Sequence, residues 1–214
     1  MTTADATKAP GTTTDLTGTF TEKAKLVSAE VYPVKTLEQA FAKAVEICVN
    51  KAPLDPQMAS PASPDAAQKS SGTDRIMAAP NLDEDAFSAL SAACDAAGGI
   101  SLIRENLRQY PGGIDMGVSL MDYGIAETGT LVLDSRAEET RLSTMLSEIH
   151  VAVLYTSKIR ESALAMTEEL KGVVRDPGSY MAFITGASRT ADIERVLAMG
   201  VHGPLELHIM LVEE

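Results

Sequence analysis

Cysteine is nearly absent from this chain: Cys48 and Cys94 are the only two, and no CxxC or other cluster exists. An iron–sulfur cluster is usually held by four thiolates, so the chain ligates none by that route and is expected to carry no redox cofactor of its own. Both cysteines fall on apolar faces of predicted helices, where cysteine acts as a small hydrophobe, and disulfides are not expected. Basic charge is scarce as well. Eighteen Lys and Arg stand against thirty Asp and Glu, a formal net charge of -12, so the surface as a whole repels nucleic acid and anionic lipid. No apolar run reaches the length that spans a bilayer. Residues 1–18 are polar and low in complexity, without the apolar core of a secretory signal. These absences point to a cytoplasmic protein with neither nucleic acid nor membrane as partner. No G-x-G-x-x-G spacing is present, which excludes the usual dinucleotide fingerprint.

Apolar side chains make up 45% of the 214 residues, enough for one full core. The reading is a flexible tail over 1–19 and a single α/β domain over 20–214. Within it, the Pro/Ala/Ser-rich stretch 53–73 is a mobile insertion, with a lid over a site as the alternative. Ala29 to Val34 has the β-branched and aromatic content of a strand. Thr36 with Gln39 forms a capping box ahead of a stripe of Leu37, Ala40, Phe41, Ala44, Val45 and Cys48. A strand over Arg75 to Pro80, a helix capped by Asp83 and ended by Gly98-Gly99, and a strand over Ile100 to Arg104 follow. Asn106 caps a single turn. Crossovers of this length imply mainly parallel pairing with helices on both faces, hence three layers. Two further strands are expected at Val118 to Leu120 and Leu131 to Leu133. After them come a helix over Glu138 to Ser147 with Leu142 and Leu146 buried, and a central strand over Ile149 to Tyr155. Ser157 then caps a helix striped by Ile159, Ala163, Met166 and Leu170.

Two blocks carry chemical interest. In Ile125-Ala126-Glu127-Thr128-Gly129-Thr130-Leu131, a carboxylate sits between apolar residues and small hydroxyls in a turn. Glu127 either braces its own turn or serves binding or catalysis, with Thr128, Gly129 and Thr130 as neighbouring donors. In Thr185-Gly186-Ala187-Ser188-Arg189-Thr190, an apolar run ends in Gly186 ahead of a short amphipathic helix at Ile193, Val196 and Leu197. Amides at a helix start attract anions, and Ser188, Arg189 and Thr190 add donors. Alternatively Ser188 or Thr190 caps the helix while Arg189 pairs with Asp192 or Glu194. His202 lies in the glycine turn before the last strand. His208 and Glu206 share a face of that strand, and the three could bind metal only as a sparse cluster; a hydrogen-bonded turn and a half-buried strand residue are the plainer reading.

With Gly200-Val201-His202-Gly203-Pro204 added, these blocks and their spacing resemble the lactate utilization protein C family, also called the LUD domain. The resemblance is loose from Ala29 and close from Gly117 to Val212. It implies the fold shared with ribose-5-phosphate isomerase, glucosamine-6-phosphate deaminase and CoA transferases. It also implies a role in oxidising L-lactate to pyruvate beside partner proteins that carry the iron–sulfur clusters. On this reading Glu127, Thr128, Gly129, Thr130, Gly186, Ser188, Arg189, Thr190 and His202 surround a small anionic ligand. An alternative from another class is a stand-alone enzyme using Glu127 as base or nucleophile.

Overall fold

The computed structural model describes residues 15–51, 75–110, 113–190, 198–199 and 203–214. The two readings of 1–14 as tail and 53–73 as insertion therefore lie outside the described residues. The chain does not enter the fold as a tail up to residue 19. Helix α1 (Leu16–Leu26) already takes in residues 16–19, because the Asp15 carboxylate accepts the Gly18 amide as an N-cap and Phe20 and Ala24 are buried. Lys23 and Lys25 in its last turn suit the negative end of the helix dipole.

Six parallel strands form the main sheet in the order β1-β12-β7-β4-β2-β3. They are β1 (Ala29–Val34), β2 (Arg75–Ala78), β3 (Ile100–Ile103), β4 (Ile114–Leu120), β7 (Ser147–Tyr155) and β12 (Glu206–Val212). The apolar run expected to be a central strand is central: β7 lies between β12 and β4. Pro33 is tolerated in β1 because that strand is an edge.

Side chains alternate across each strand, and the alternation sorts the core into two. On one face Met116, Val118, Ile149, Val151 and Met210 pack under α2 (Leu37–Asn50) and α3 (Glu84–Ala97), with Phe41 and Leu90 as their largest buried side chains. Both helices start as read. Thr36 Oγ1 accepts the Gln39 amide at 3.3 Å, Gln39 returns to the Lys35 amide at 2.9 Å, and Asp83 accepts the Ala86 amide at 2.8 Å. Cys48 and Cys94 are buried there, and burial pushes their thiols up to about 12 and about 11, so both stay protonated and inert.

Leu154, Leu207, Ile209 and Leu211 face the other way, against α1 and a second sheet. This smaller sheet has the order β8-β5-β6-β9, built from β5 (Tyr123–Ile125), β6 (Thr130–Asp134), β8 (Ile159–Arg160) and β9 (Met181–Ile184). Three expectations change here. Ile159 belongs to β8, paired in parallel with β5, and not to a helix capped by Ser157; the helix that follows, α5 (Thr167–Val174), starts later. Asn106 takes a left-handed conformation before a 3-10 turn without a side-chain cap. In α4 (Glu138–Leu146) the fully buried residues are Thr140 and Ser143, while Leu142 and Leu146 are half-buried. Polar Ser143 is buried because it lies over Gly117 of β4, where a Cβ would stand 2.8 Å from its Oγ.

Candidate functional site

β5 and β9 flank β6 and both run antiparallel to it. Their carboxyl ends therefore lie on one edge of the small sheet, and so do the two loops that leave them: the turn Ala126 to Gly129 and the loop beginning at Thr185. A mainly parallel sheet, as expected from the sequence, would carry both loops at its own strand ends. They belong instead to the second sheet, whose strands are too short and too nonlocal in their pairing for periodicity to reveal.

A chain of hydroxyls ties the two loops together. Thr128 Oγ1 lies 2.7 Å from Thr130 Oγ1, which lies 2.8 Å from Thr185 Oγ1 across the β6–β9 pair. Thr185 was not singled out from sequence, although it stands in the second block. Gly129 and Gly186 have φ of +64° and +76°, and both press against the last turns of α1. A Cβ on Gly129 would come within 2.3 Å of the Ala24 nitrogen, and one on Gly186 within 2.1 Å of the Val27 oxygen. Helix α1, unread in the sequence, is thus the floor on which both loops rest.

Glu127 is exposed, and its amide donates to the Glu161 carbonyl at 3.0 Å. Among the described residues its carboxylate has no hydrogen-bond or ion-pair partner, so it does not brace its own turn. The Ser188 amide donates to Pro204 O at 2.9 Å and so is engaged by the chain itself. Arg189 and Thr190 form a two-residue strand, β10, antiparallel to β11 (Ala198–Met199). Their side chains lie outside the described residues, as do Asp192, Glu194, the helix expected at Ile193 to Leu197, and His202. His208 is buried and its Nε2 lies 2.8 Å from Glu206, confirming their shared face, while Tyr32 stacks on its ring. No group of three metal-ligating side chains is assembled among the described residues.

The loop after β9 also walls a cavity of about 220 Å³ between α4, β9 and the first residues of β7 and β12. Sequence reasoning missed its polar groups. Ser135 and Arg141 come from the start and body of α4's segment, Tyr180 precedes β9, and His150 is the fourth residue of β7. Arg141 Nη1 donates to the carbonyls of Ser135 and Arg136 at 2.6 and 2.8 Å, and its guanidinium lies 5.5 Å from the Tyr180 ring centre. Among the described residues no carboxylate lies within ion-pair distance of it. His150 alternates with Ile149 and Val151 and so faces the second core, opposite Gly117 on one side and Leu207 on the other. It is buried, its Nε2 has no hydrogen-bond partner, and burial lowers its pKa to about 4, so the ring is neutral at pH 7.

The profile of the LUD domain family matches residues 18–212, which takes in both sheets and both blocks. The chain belongs to the LUD domain family. It is 35% identical over 89 residues to lactate utilization protein C of Deinococcus radiodurans, covering 41% of this chain and 42% of that protein. It is 34% identical over 104 residues to the protein of the same name from Geobacillus kaustophilus, covering 47% and 43%. An uncharacterized protein of Escherichia coli, YkgG, is 35% identical over 103 residues, covering 46% and 44%. The matched stretch is thus less than half the length of each of these relatives. Among solved structures, a DUF162 family protein from Deinococcus radiodurans superposes with a TM-score of 0.59 over 95% of this chain and 99% of that one, at 15% identity, a likeness of fold. No helix among the described residues is long and apolar enough to cross a membrane.

Proposed function

We propose that this chain serves lactate utilization as a subunit or accessory protein of an L-lactate-oxidising system, itself without a redox centre, and that it binds a small anion at the rim described above. The iron–sulfur clusters that pass the electrons on would sit in partner proteins. Two cysteines, both buried and far apart in sequence, offer no ligand set for such a cluster in this chain. The name carried by its LUD-domain relatives supports the lactate reading. The single observation that carries the anion reading is structural: the two blocks meet on one edge, joined by the Thr128–Thr130–Thr185 hydroxyls, beside a cavity lined by an arginine without a carboxylate partner among the described residues.

Deletion of the chain in its host is expected to abolish growth on L-lactate, and Arg189→Ala to reduce it about tenfold or more, as loss of a charged hydrogen bond to an anion would. Capture of the chain from host extract is expected to bring down a protein containing iron and acid-labile sulfide. Unimpaired growth of Arg189→Ala would remove Arg189 from the site, and absence of any iron protein would remove the complex.

A second reading has one observation in its favour, the exposed and unpaired Glu127 at a strand-end turn. On it the chain acts alone, with Glu127 as base or nucleophile, by analogy with the CoA transferase fold. Turnover of a thioester or sugar phosphate by the pure protein, lost in Glu127→Gln, would favour it.

A further inference from the structure

We propose that the crevice at the carboxyl ends of β2, β4 and β7 binds a small α-amino acid as its zwitterion, the ammonium on Asp122 and the carboxylate on Lys158. This site is separate from the anion rim: Asp122 stands just before the amino end of β5, whereas the Glu127 turn follows its carboxyl end.

Topology opens the crevice. β2 and β4 are neighbours in the main sheet, yet the chain leaves them in opposite directions. From β2 it turns through α3 on one face and returns as β3, the outermost strand; from β4 it passes to β5, in the small sheet on the other face. Where neighbouring loops part in this way, an open parallel sheet leaves a hollow beyond its strand ends. The ladder shows the parting: β2 pairs with β4 at Met77–Met116 and Ala78–Gly117, and β4 runs on to Leu120, beyond the end of β2. Asn81 bridges the gap with its side chain. Its Nδ2 donates to Leu120 O at 2.8 Å, and the Leu120 amide donates to its Oδ1 at 3.1 Å. The resulting hollow, of about 250 Å³, therefore has its shape fixed by the chain itself.

Charge then selects the ligand. Asp122 and Lys158 line the hollow together, opposite in sign, and among the described residues neither makes an ion pair with the other or with any other side chain. Asp122 Oδ2 accepts the Asp134 amide at 2.6 Å, which steadies the carboxylate and leaves Oδ1 open. A ligand of one sign would pair with one of these charges and strand the other beneath it, whereas a zwitterion pairs with both. Lys158 is the one cation among the described lining residues, so a phosphate or a dicarboxylate would lack a second. What remains of the wall suits a side chain of hydrocarbon: Leu120 and Met121 are apolar, and Tyr123 and Tyr155 present ring surface. The volume lies below the ~300 Å³ at which pockets for drug-sized ligands begin, so that side chain is short, as in valine.

Titration calorimetry on the full chain with L-valine, isovalerate and isobutylamine tests the two charges separately, since isovalerate is valine without its ammonium and isobutylamine is valine without its carboxylate. Valine is expected to bind tightest, and each analogue about five- to tenfold more weakly. Two variants place the site. Asp122→Asn keeps an oxygen for the Asp134 amide and should erase the preference for valine over isovalerate. Lys158 is exposed and takes part in no ion pair among the described residues, so Lys158→Gln should leave the ligand-free melting temperature unchanged while erasing the preference for valine over isobutylamine. Either analogue binding as tightly as valine would overturn the zwitterion. Valine binding that ignores both variants, or no saturable binding below about 10 mM, would overturn the site.

Discussion

Gly129→Ala is expected to destabilise the protein by about 2–5 kcal/mol. An L side chain at its φ of +64° costs ~1–2 kcal/mol. The added Cβ also meets the backbone of α1, with the Ala24 nitrogen at 2.3 Å and the Lys23 carbonyl carbon at 2.6 Å, and overpacking against atoms that cannot rotate away costs ~1–3 kcal/mol more. Gly98 supplies the control. Its φ is +70° with ψ 161°, a region used almost only by glycine, but nothing lies within 4 Å of its Cβ position, so Gly98→Ala should cost only the conformational part, about 1–3 kcal/mol. Urea denaturation of the two variants measures the difference directly. Equal losses would mean that α1 does not press on the turn, and the floor assigned to both loops would be lost. The same construction applies to Gly186, where the Val27 oxygen stands 2.1 Å from the Cβ position.

The second large effect is in acid. The pKa of His150 falls from its ordinary 6.5 to about 4 on folding because the charged imidazolium has no water around it. Below pH 6.5 the unfolded chain therefore binds a proton that the folded chain refuses, and stability falls with falling pH at about 1.4 kcal/mol per unit. Stability is full above pH 6.5, and about 3 kcal/mol is lost by the time the pH reaches about 4, below which both states are protonated. Asp134 and Glu138, held below the usual carboxylate range chiefly by hydrogen bonds from Arg136 and Arg108, contribute further acid losses of their own. Comparing the wild type with His150→Gln over pH 4–7 removes them, since only the histidine differs. The variant should lack the decline between pH 6.5 and 4, whereas parallel profiles would place His150 in contact with solvent or with a carboxylate.

What could be read from the sequence was what depends on neighbours within a few residues. The Thr36–Gln39 box, the Asp83 cap and the alternating or continuous apolar runs of β4, β7 and β12 are local, and each appears where its residues predict. That Gly129 stands in a turn and Gly186 at the end of an apolar run was likewise legible. The reason those positions exclude a side chain was not legible, because it comes from α1, whose buried content is little more than Phe20 and Ala24 among threonines and charges. The small sheet was missed for a similar reason. β8 is two residues long, and Ile159 reads equally well as the first apolar position of a helix. His150 was hidden inside an apolar run, where one histidine reads as a tolerated core residue. Its importance arises only when Arg141 from α4, and Tyr180 and Ile184 from the segment of β9, leave a cavity beside it.

The central claim is that two blocks more than fifty residues apart in sequence build one ligand-binding rim with α1 beneath it. Backbone amide NMR during titration with L-lactate tests it most directly. The account predicts saturable shifts at Thr130, Gly186, Ala187 and His150 together, with a single dissociation constant. Shifts confined to the opposite face around Tyr32 and His208, or none at saturating concentration, would contradict it.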